Sequence, residues 1–230
     1  MGLMFQVKQT APSESEDTNF IIIAEHLNNQ RFRLIIKRIF DITVSLTGIL
    51  CTSVFFIIIG IWIKIDSNGP VFYQQTRVGK NEKHFKILKF RTMVIDADKN
   101  NQLITVGADS RITRAGRFLR RTKIDEIPQL INILKGDMSF VGPRPEVPKY
   151  VDMYNEDQKC VMLVRPGLTD TASIEYRNES ELLALSEDPE RTYIQEVMPR
   201  KLIFNMQYLE NISVINDIRI MITTIKKVLR

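Results

Sequence analysis

Residues 42–63, ITVSLTGILCTSVFFIIIGIWI, run from Asp41 to Lys64 without a single charge. A helix of roughly 20 apolar residues matches the hydrocarbon thickness of a bilayer. A core helix of that length would normally show a polar face. The segment therefore predicts a membrane-inserted helix over residues 31–66, entered through the basic amphipathic stretch Arg31-Phe32-Arg33-Leu34-Ile35-Ile36-Lys37-Arg38. Both flanks are basic, with Arg31, Arg33, Lys37 and Arg38 before and Lys64, Arg77, Lys80, Lys83, Lys86, Lys89 and Arg91 after. Membrane helices keep Lys and Arg on the cytoplasmic side. A spanning helix would put one of these sets on the wrong side, so the pattern favours a helix that dips in and returns. Thr52 and Ser53, after Cys51, are the candidates for the bend, because hydroxyls can bond back to the preceding turn.

The remaining chain has the length of one domain, which with the other segments gives three parts. Residues 1–30 read as a flexible extension, polar through residue 19 and followed by the short apolar run Phe20–Ala24. Residues 31–66 are the membrane segment, and 67–230 a cytosolic domain. The net charge of +5 is modest, and no nucleic-acid-binding signature accompanies it. Cys51 and Cys160 are far apart and His26 and His84 stand alone, so neither a disulfide framework nor a zinc site is expected.

The densest chemical signal lies in 122–146, TKIDEIPQLINILKGDMSFVGPRPE. Pro128 belongs in a first helical turn, and Ile127, Leu130, Ile131 and Leu134 follow helical spacing, so a helix is expected to start near Asp125 and stop at Gly136. The adjacent carboxylates Asp125 and Glu126 then sit in its first turn. Arg114, Arg117, Arg120, Arg121 and Lys123 precede them, and Arg144 follows inside Gly142-Pro143-Arg144-Pro145. Carboxylates among guanidinium groups suit phosphate chemistry with a divalent metal. The same spacing also fits a capped, solvated helix with ordinary ion pairs.

Around that centre, Val71–Tyr73 reads as a strand, Gln74–Gly79 as a loop and Phe85–Met93 as a second strand. On this second strand Lys89 and Arg91, two apart, share a face. Residues 94–112 read as loop. Asp96-Ala97-Asp98 is a DxD, like the metal motif of many nucleotide-sugar glycosyltransferases, though solvated loops carry the same triplet often. A basic helix over 115–123 leads to the acid pair. Helical patterns follow at 149–163, at 178–186 with Asn178 as candidate N-cap, at 190–209 and at 214–229. The fold class is α+β, mostly helical, with few short strands and several amphipathic helices.

Taken in order, Lys37-Arg38-Ile39-Phe40-Asp41, Gly69-Pro70-Val71-Phe72, Gln75, Arg77-Val78-Gly79, Phe90-Arg91-Thr92-Met93, Gly116-Arg117, Leu119-Arg120, Asp125-Glu126, Pro128-Gln129-Leu130, Asn132, Leu134–Ser139 and Val141–Pro145 carry a resemblance. The chain resembles the bacterial sugar transferases, the monotopic polyprenyl-phosphate phosphoglycosyl transferases, in their minimal short form. The resemblance covers about 37–170 and weakens toward the end.

It implies transfer of a phosphosugar from a UDP-sugar to a polyprenyl phosphate, usually undecaprenyl phosphate, with release of UMP, as the first membrane step of surface-glycan assembly. Carried over, Asp125 is the nucleophile that forms a phosphosugar-aspartyl intermediate, and Glu126 helps hold Mg²⁺. Arg144 matches the phosphate-binding arginine, with Lys89, Arg91, Arg117 and Arg120 as further phosphate-binding candidates. The implied setting is the cytoplasmic face of the bacterial inner membrane, in contact with lipid bilayer and with downstream glycosyltransferases. Two positions depart from the family pattern. Ser53-Val54 stands where Ser-Pro is common at the membrane bend. Leu168–Ser173 replaces a Gly-Trp-Ala-Gln stretch, so sugar preference cannot be copied. The competing readings are a glycosyltransferase using Asp96 and Asp98 and releasing UDP, and a non-catalytic membrane scaffold.

Overall fold

A computed structural model describes residues 16–95, 97 and 109–228. The first 15 residues of the expected extension, and Asp96 and Asp98 of the DxD, lie outside the described residues. Residues 16–29 correct the reading of a flexible extension. They form helix α1 (Glu16–Asn29), and Leu27 is buried in the main apolar core with Phe20 and Ile23 packed on that core.

Helix α2 (Arg31–Asp66) spans the apolar segment and both of its charged ends. Its two ends are tied to the same body. Near the start, Lys37 pairs with buried Asp217, Arg38 donates to the carbonyls of Ile133 (2.6 Å) and Leu134 (2.9 Å), and Asp41 accepts from Phe140 N–H. Near the finish, Phe56 packs on Phe72 and Phe90, Ile63 is buried with Phe90 and Leu119, and Asp66 accepts from Ala115 N–H at 3.0 Å. Between these anchors the outward side is apolar and bare: Leu50 is 67% exposed, Val54 63% and Ile57 65%. An apolar strip of this kind on a charged domain marks a surface meant for something other than water. Thr52 and Ser53 donate to the carbonyls of Gly48 and Leu50, as expected of back-bonding hydroxyls, and α2 stays helical through them.

The two strands after α2 form an antiparallel hairpin, β1 (Phe72–Val78) and β2 (His84–Phe90), in register from Phe72–Phe90 to Val78–His84. Gln74–Val78 is thus strand, not loop. Its polar residues misled the reading because both faces of this short ribbon carry polar or half-exposed side chains.

Helix α3 (Arg114–Arg121) starts at a Thr113 side-chain cap and leads into a single 3₁₀ turn, Ile124–Glu126. Helix α4 (Gln129–Lys135) follows, with Pro128 at its N-cap and Gly136 (φ +96°) at its end. The acid pair therefore sits on a tight turn before the helix and not in its first turn. Lys123, with φ +59°, forces the chain through the left-handed region just ahead of it. A non-glycine residue is rarely held there unless its surroundings impose it.

Strands β3 (Ser139–Val141) and β4 (Gly167–Thr169) pair in parallel. They cross closely at glycines: a Cβ on Gly167 would meet Gly142 N at 2.2 Å. That approach fixes the Pro143-Arg144-Pro145 turn against β4. The helical stretches beyond are more broken than the periodicity suggested. They comprise α5 (Pro148–Val151), α6 (Glu156–Lys159), α7 (Thr171–Glu175), α8 (Glu179–Ala184), α9 (Pro189–Thr192), α10 (Met198–Glu210) and α11 (Val214–Val228), with a 3₁₀ turn at Cys160–Leu163 and a π-turn at Tyr193–Val197. Asn178 occupies the N-cap of α8, but its side chain makes no capping bond. The core runs through Ile133, Met138, Val141, Leu183 and Leu209.

Candidate active site

A cleft of about 1350 Å³ opens between the hairpin, the 3₁₀ turn and the helices after β4. The polar groups at its inner end are aimed by four different elements. The hairpin strand β2 supplies Lys89, the turn Ile124–Glu126 supplies Asp125 and Glu126, and α3 supplies Arg120. The Pro-bounded turn after β3 supplies Arg144. Asn132 ties these parts together. Its side chain accepts from Leu88 N–H (3.0 Å) and donates to Lys86 O (2.8 Å), locking α4 to β2. Asp170 accepts from Arg144 N–H at 2.9 Å while capping α7, so the arginine backbone is pinned as well.

The two carboxylates live in different electrical settings. Glu126 Oε1 accepts from Lys89 Nζ (2.9 Å) and Arg144 Nη2 (2.7 Å). Burial would push its carboxyl up, but the two cations outweigh burial and hold it well below the usual carboxylate range. Arg144 is in turn held firmly charged by Glu126. Asp125 is only 7% exposed, and its Oδ1 has no hydrogen-bond partner among the described residues. Burial raises its pKa, opposed by Lys89 and reinforced by the adjacent Glu126. Burial also pulls the Lys89 ammonium down, against the attraction of Glu126. A buried carboxylate oxygen without a donor is costly to keep. It is also free to attack, because no hydrogen bond has to break first.

The sequence-derived candidates separate here. Asp125, Glu126, Lys89, Arg120 and Arg144 converge on the inner end of the cleft, where Arg120 donates to Thr92 Oγ1 at 2.8 Å. Arg91 lines the same cleft, but its guanidinium donates to the carbonyls of Ser67 and Asn68 at 2.6 Å, closing the end of α2. Strand β2 stops at Phe90, so the two-residue alternation that paired Lys89 with Arg91 does not extend that far. Arg117 donates to Ile112 O and is absent from the cleft wall.

Sequence reasoning missed the outer wall, where Glu146, Tyr150, Tyr176, Arg177, Glu179, Tyr193 and Lys201 gather. These come from separate short helices, and no local motif joins them. Among the described residues no cluster of three or more His, Cys, Asp or Glu is placed to hold a metal ion. The acidic oxygens at the inner end are those of Asp125 and Glu126. That set suits Mg²⁺, which takes one or two carboxylates and completes its shell with water and substrate phosphates.

Comparison with known proteins gives consistent matches. The family model described as "Bacterial sugar transferase" matches residues 32–230. The "Uncharacterized sugar transferase EpsL" of Bacillus subtilis is 36% identical over 196 residues, 85% of this chain and 88% of that protein. The "Exopolysaccharide production protein PSS" of Rhizobium leguminosarum is 37% identical, with coverage of 84% and 94%. The "UDP-glucose:undecaprenyl-phosphate glucose-1-phosphate transferase" of Escherichia coli is 36% identical over 84% of this chain, which spans 40% of that longer protein.

Proposed function

The chain belongs to the bacterial sugar transferase family, and we propose on that footing that it moves a sugar phosphate from a UDP-sugar to undecaprenyl phosphate and releases UMP. The observation that carries this reading is Asp125 Oδ1, unpartnered in a cleft whose other acid is clamped between Lys89 and Arg144.

In the first displacement Asp125 Oδ1 attacks the phosphorus that bears the sugar. The bond from that phosphorus to the bridging diphosphate oxygen breaks, and UMP leaves with the electron pair. In the second, an oxygen of the lipid phosphate attacks the same phosphorus. The acyl-phosphate bond breaks, and Asp125 returns as a carboxylate. One phosphate site serves both halves because the sugar phosphate never leaves it. A carboxylate approaching a diphosphate meets repulsion, and Lys89, Arg120 and Arg144 offset it. Arg144, held between prolines, keeps its fork of donors fixed while charge moves. Glu126 orients both Lys89 and Arg144, and with Asp125 it forms the acidic pair that would hold Mg²⁺. Bound there, the ion supplies Lewis-acid neutralisation of the diphosphate.

Helix α2 supports a membrane setting. Both of its ends grip the same domain, while its exposed middle is apolar. That favours insertion from one side, with Thr52 and Ser53 at the deepest point and the basic flanks at a cytoplasmic membrane surface. Incubation of the purified protein with UDP-sugars and undecaprenyl phosphate tests the reaction. UMP release dependent on both substrates supports it; UDP release would favour sugar transfer alone, and no nucleotide release a scaffold.

A further inference from the structure

On the opposite face of β3 from the cleft lies a second, smaller pocket. Phe140 points into the cleft, whereas its neighbours Ser139 and Val141 line the pocket. Its volume of about 40 Å³ is several times the 10–15 Å³ that one water needs. The wall is unusually basic. Arg38, Lys80 and Arg165 reach it from three separate elements, against the single carboxylate of Asp41, whose Oδ1 is already bonded to Phe140 N–H. Lys37 is also on the wall but is neutralised by Asp217.

Three features leave this pocket electrically incomplete. Lys80 has no ion pair or side-chain hydrogen bond among the described residues, and burial together with Arg165 pulls its ammonium below the ordinary lysine value. Among the described residues Arg165 spends only Nε, on Gly136 O at 2.8 Å, which leaves the outer nitrogens of its fork uncommitted there. Ser139 is 1% exposed, and its Oγ has no partner among the described residues. A buried hydroxyl without a partner, on a wall where Arg38, Lys80 and Arg165 share the single carboxylate of Asp41, is an arrangement that an oxyanion would complete.

The geometry points to a second phosphate-binding site, distinct from the catalytic cleft, in which Lys80, Arg165 and Ser139 Oγ hold a phosphate oxyanion. The anion comes either from free phosphate or from a phospholipid headgroup. The wall favours neither source outright, but Leu34 of α2 lines it, one residue from exposed Ile35, so acyl chains could leave along the apolar side of α2. Occupancy would tie the hairpin turn carrying Lys80 and the loop carrying Arg165 to the start of α2. Arg38 already ties the start of α2 to the end of α4, and Arg165 Nε meets Gly136 O just beyond that end.

Full-length protein in detergent, stripped of lipid, is titrated with inorganic phosphate while its melting midpoint is followed. In parallel, native mass spectrometry counts phospholipid retained after transfer from phosphatidylglycerol nanodiscs. Lys80→Gln is the informative variant, because Lys80 bonds nothing that the fold needs and lies away from the cleft. Ser139→Ala is the second. Wild type is expected to be stabilised by phosphate or to retain one phospholipid, and each variant to weaken that binding by about tenfold or more. Basal UMP release by Lys80→Gln should stay within about twofold of wild type. Retained lipid that phosphate does not displace assigns the headgroup as source; binding of phosphate without retained lipid assigns the free ion. Failure of wild type to bind either probe overturns the proposal. So does equal binding by wild type and both variants, which would put the anion in the catalytic cleft.

Discussion

The inner and outer ends of the cleft are built from similar side chains and finish in opposite states. At the outer end every acid is satisfied. Glu146 accepts from Arg77 (3.1 Å), from Tyr193 Oη (2.6 Å) and from Val147 N–H, and Glu179 pairs with Lys201 at 2.7 Å. At the inner end Glu126 is equally satisfied, but Asp125 beside it keeps an oxygen with no donor among the described residues, on a turn that Lys123 enters in a left-handed conformation. Pairing gives a wall its shape. Incomplete pairing, held in place by strain and burial, gives a reactive group.

The sharpest way to break this contrast is Asp125→Asn. Turnover should fall by at least about 10³-fold, since the attacking oxygen is gone. The same change should stabilise the protein. A carboxyl whose folded pKa is raised pays for ionisation at every pH above its folded value. Its removal should therefore raise stability at neutral pH, seen as a higher Tm. A variant that is inactive and also less stable would mean that Asp125 is a structural acid.

Arg144→Gln should cost about 10²–10³-fold in kcat, the usual loss when one preorganised donor to developing charge is removed. Steady-state kinetics would show the loss mainly in kcat, and an effect confined to KM would assign Arg144 to ground-state binding. The pH profile sharpens the same comparison. Activity should fall on the acid side as Asp125 protonates, with a midpoint above the ordinary aspartate value because burial raises it. Glu126 has the opposite sign. Its pairing stabilises the fold at all pH above the unfolded carboxylate value, and that stability is lost only as pH falls through its lowered folded pKa. Acid should therefore silence the enzyme before it opens the Glu126 clamp. Loss of both in one transition, followed by activity and circular dichroism together, would contradict the assignment.

The smallest effect belongs to the outer wall. Tyr193→Phe removes one buried hydrogen bond to Glu146 and should cost about 1 kcal/mol of stability with less than about threefold change in kcat. A large fall in kcat would mean that the outer wall takes part in chemistry.

The sequence disclosed the inner end well, because its parts are marked locally. Pro128 and Gly136 bracket α4, adjacent acids are conspicuous, and an arginine between two prolines has few conformations. It also disclosed α2, where the lack of charge over 42–63 leaves little choice. It failed where a role depends on partners distant in the chain. Arg91 shares a local pattern with Lys89, yet the end of β2 at Phe90 turns it toward the carbonyls of Ser67 and Asn68. Helix α1 looked too polar to fold on its own, and it owes its order to packing of Leu27, Ile23 and Phe20 on the core. Tyr193, Glu179 and Lys201 meet only because separate short helices fold together, and no window of sequence contains that meeting.

The most direct measurement is the intact mass of the purified protein after exposure to its UDP-sugar with no lipid acceptor present. The account predicts a mass increase of one sugar phosphate, mapped to Asp125, absent from Asp125→Asn and discharged when undecaprenyl phosphate is added. Wild-type protein that turns over substrate yet never carries that mass, or an adduct that persists in Asp125→Asn, would contradict it.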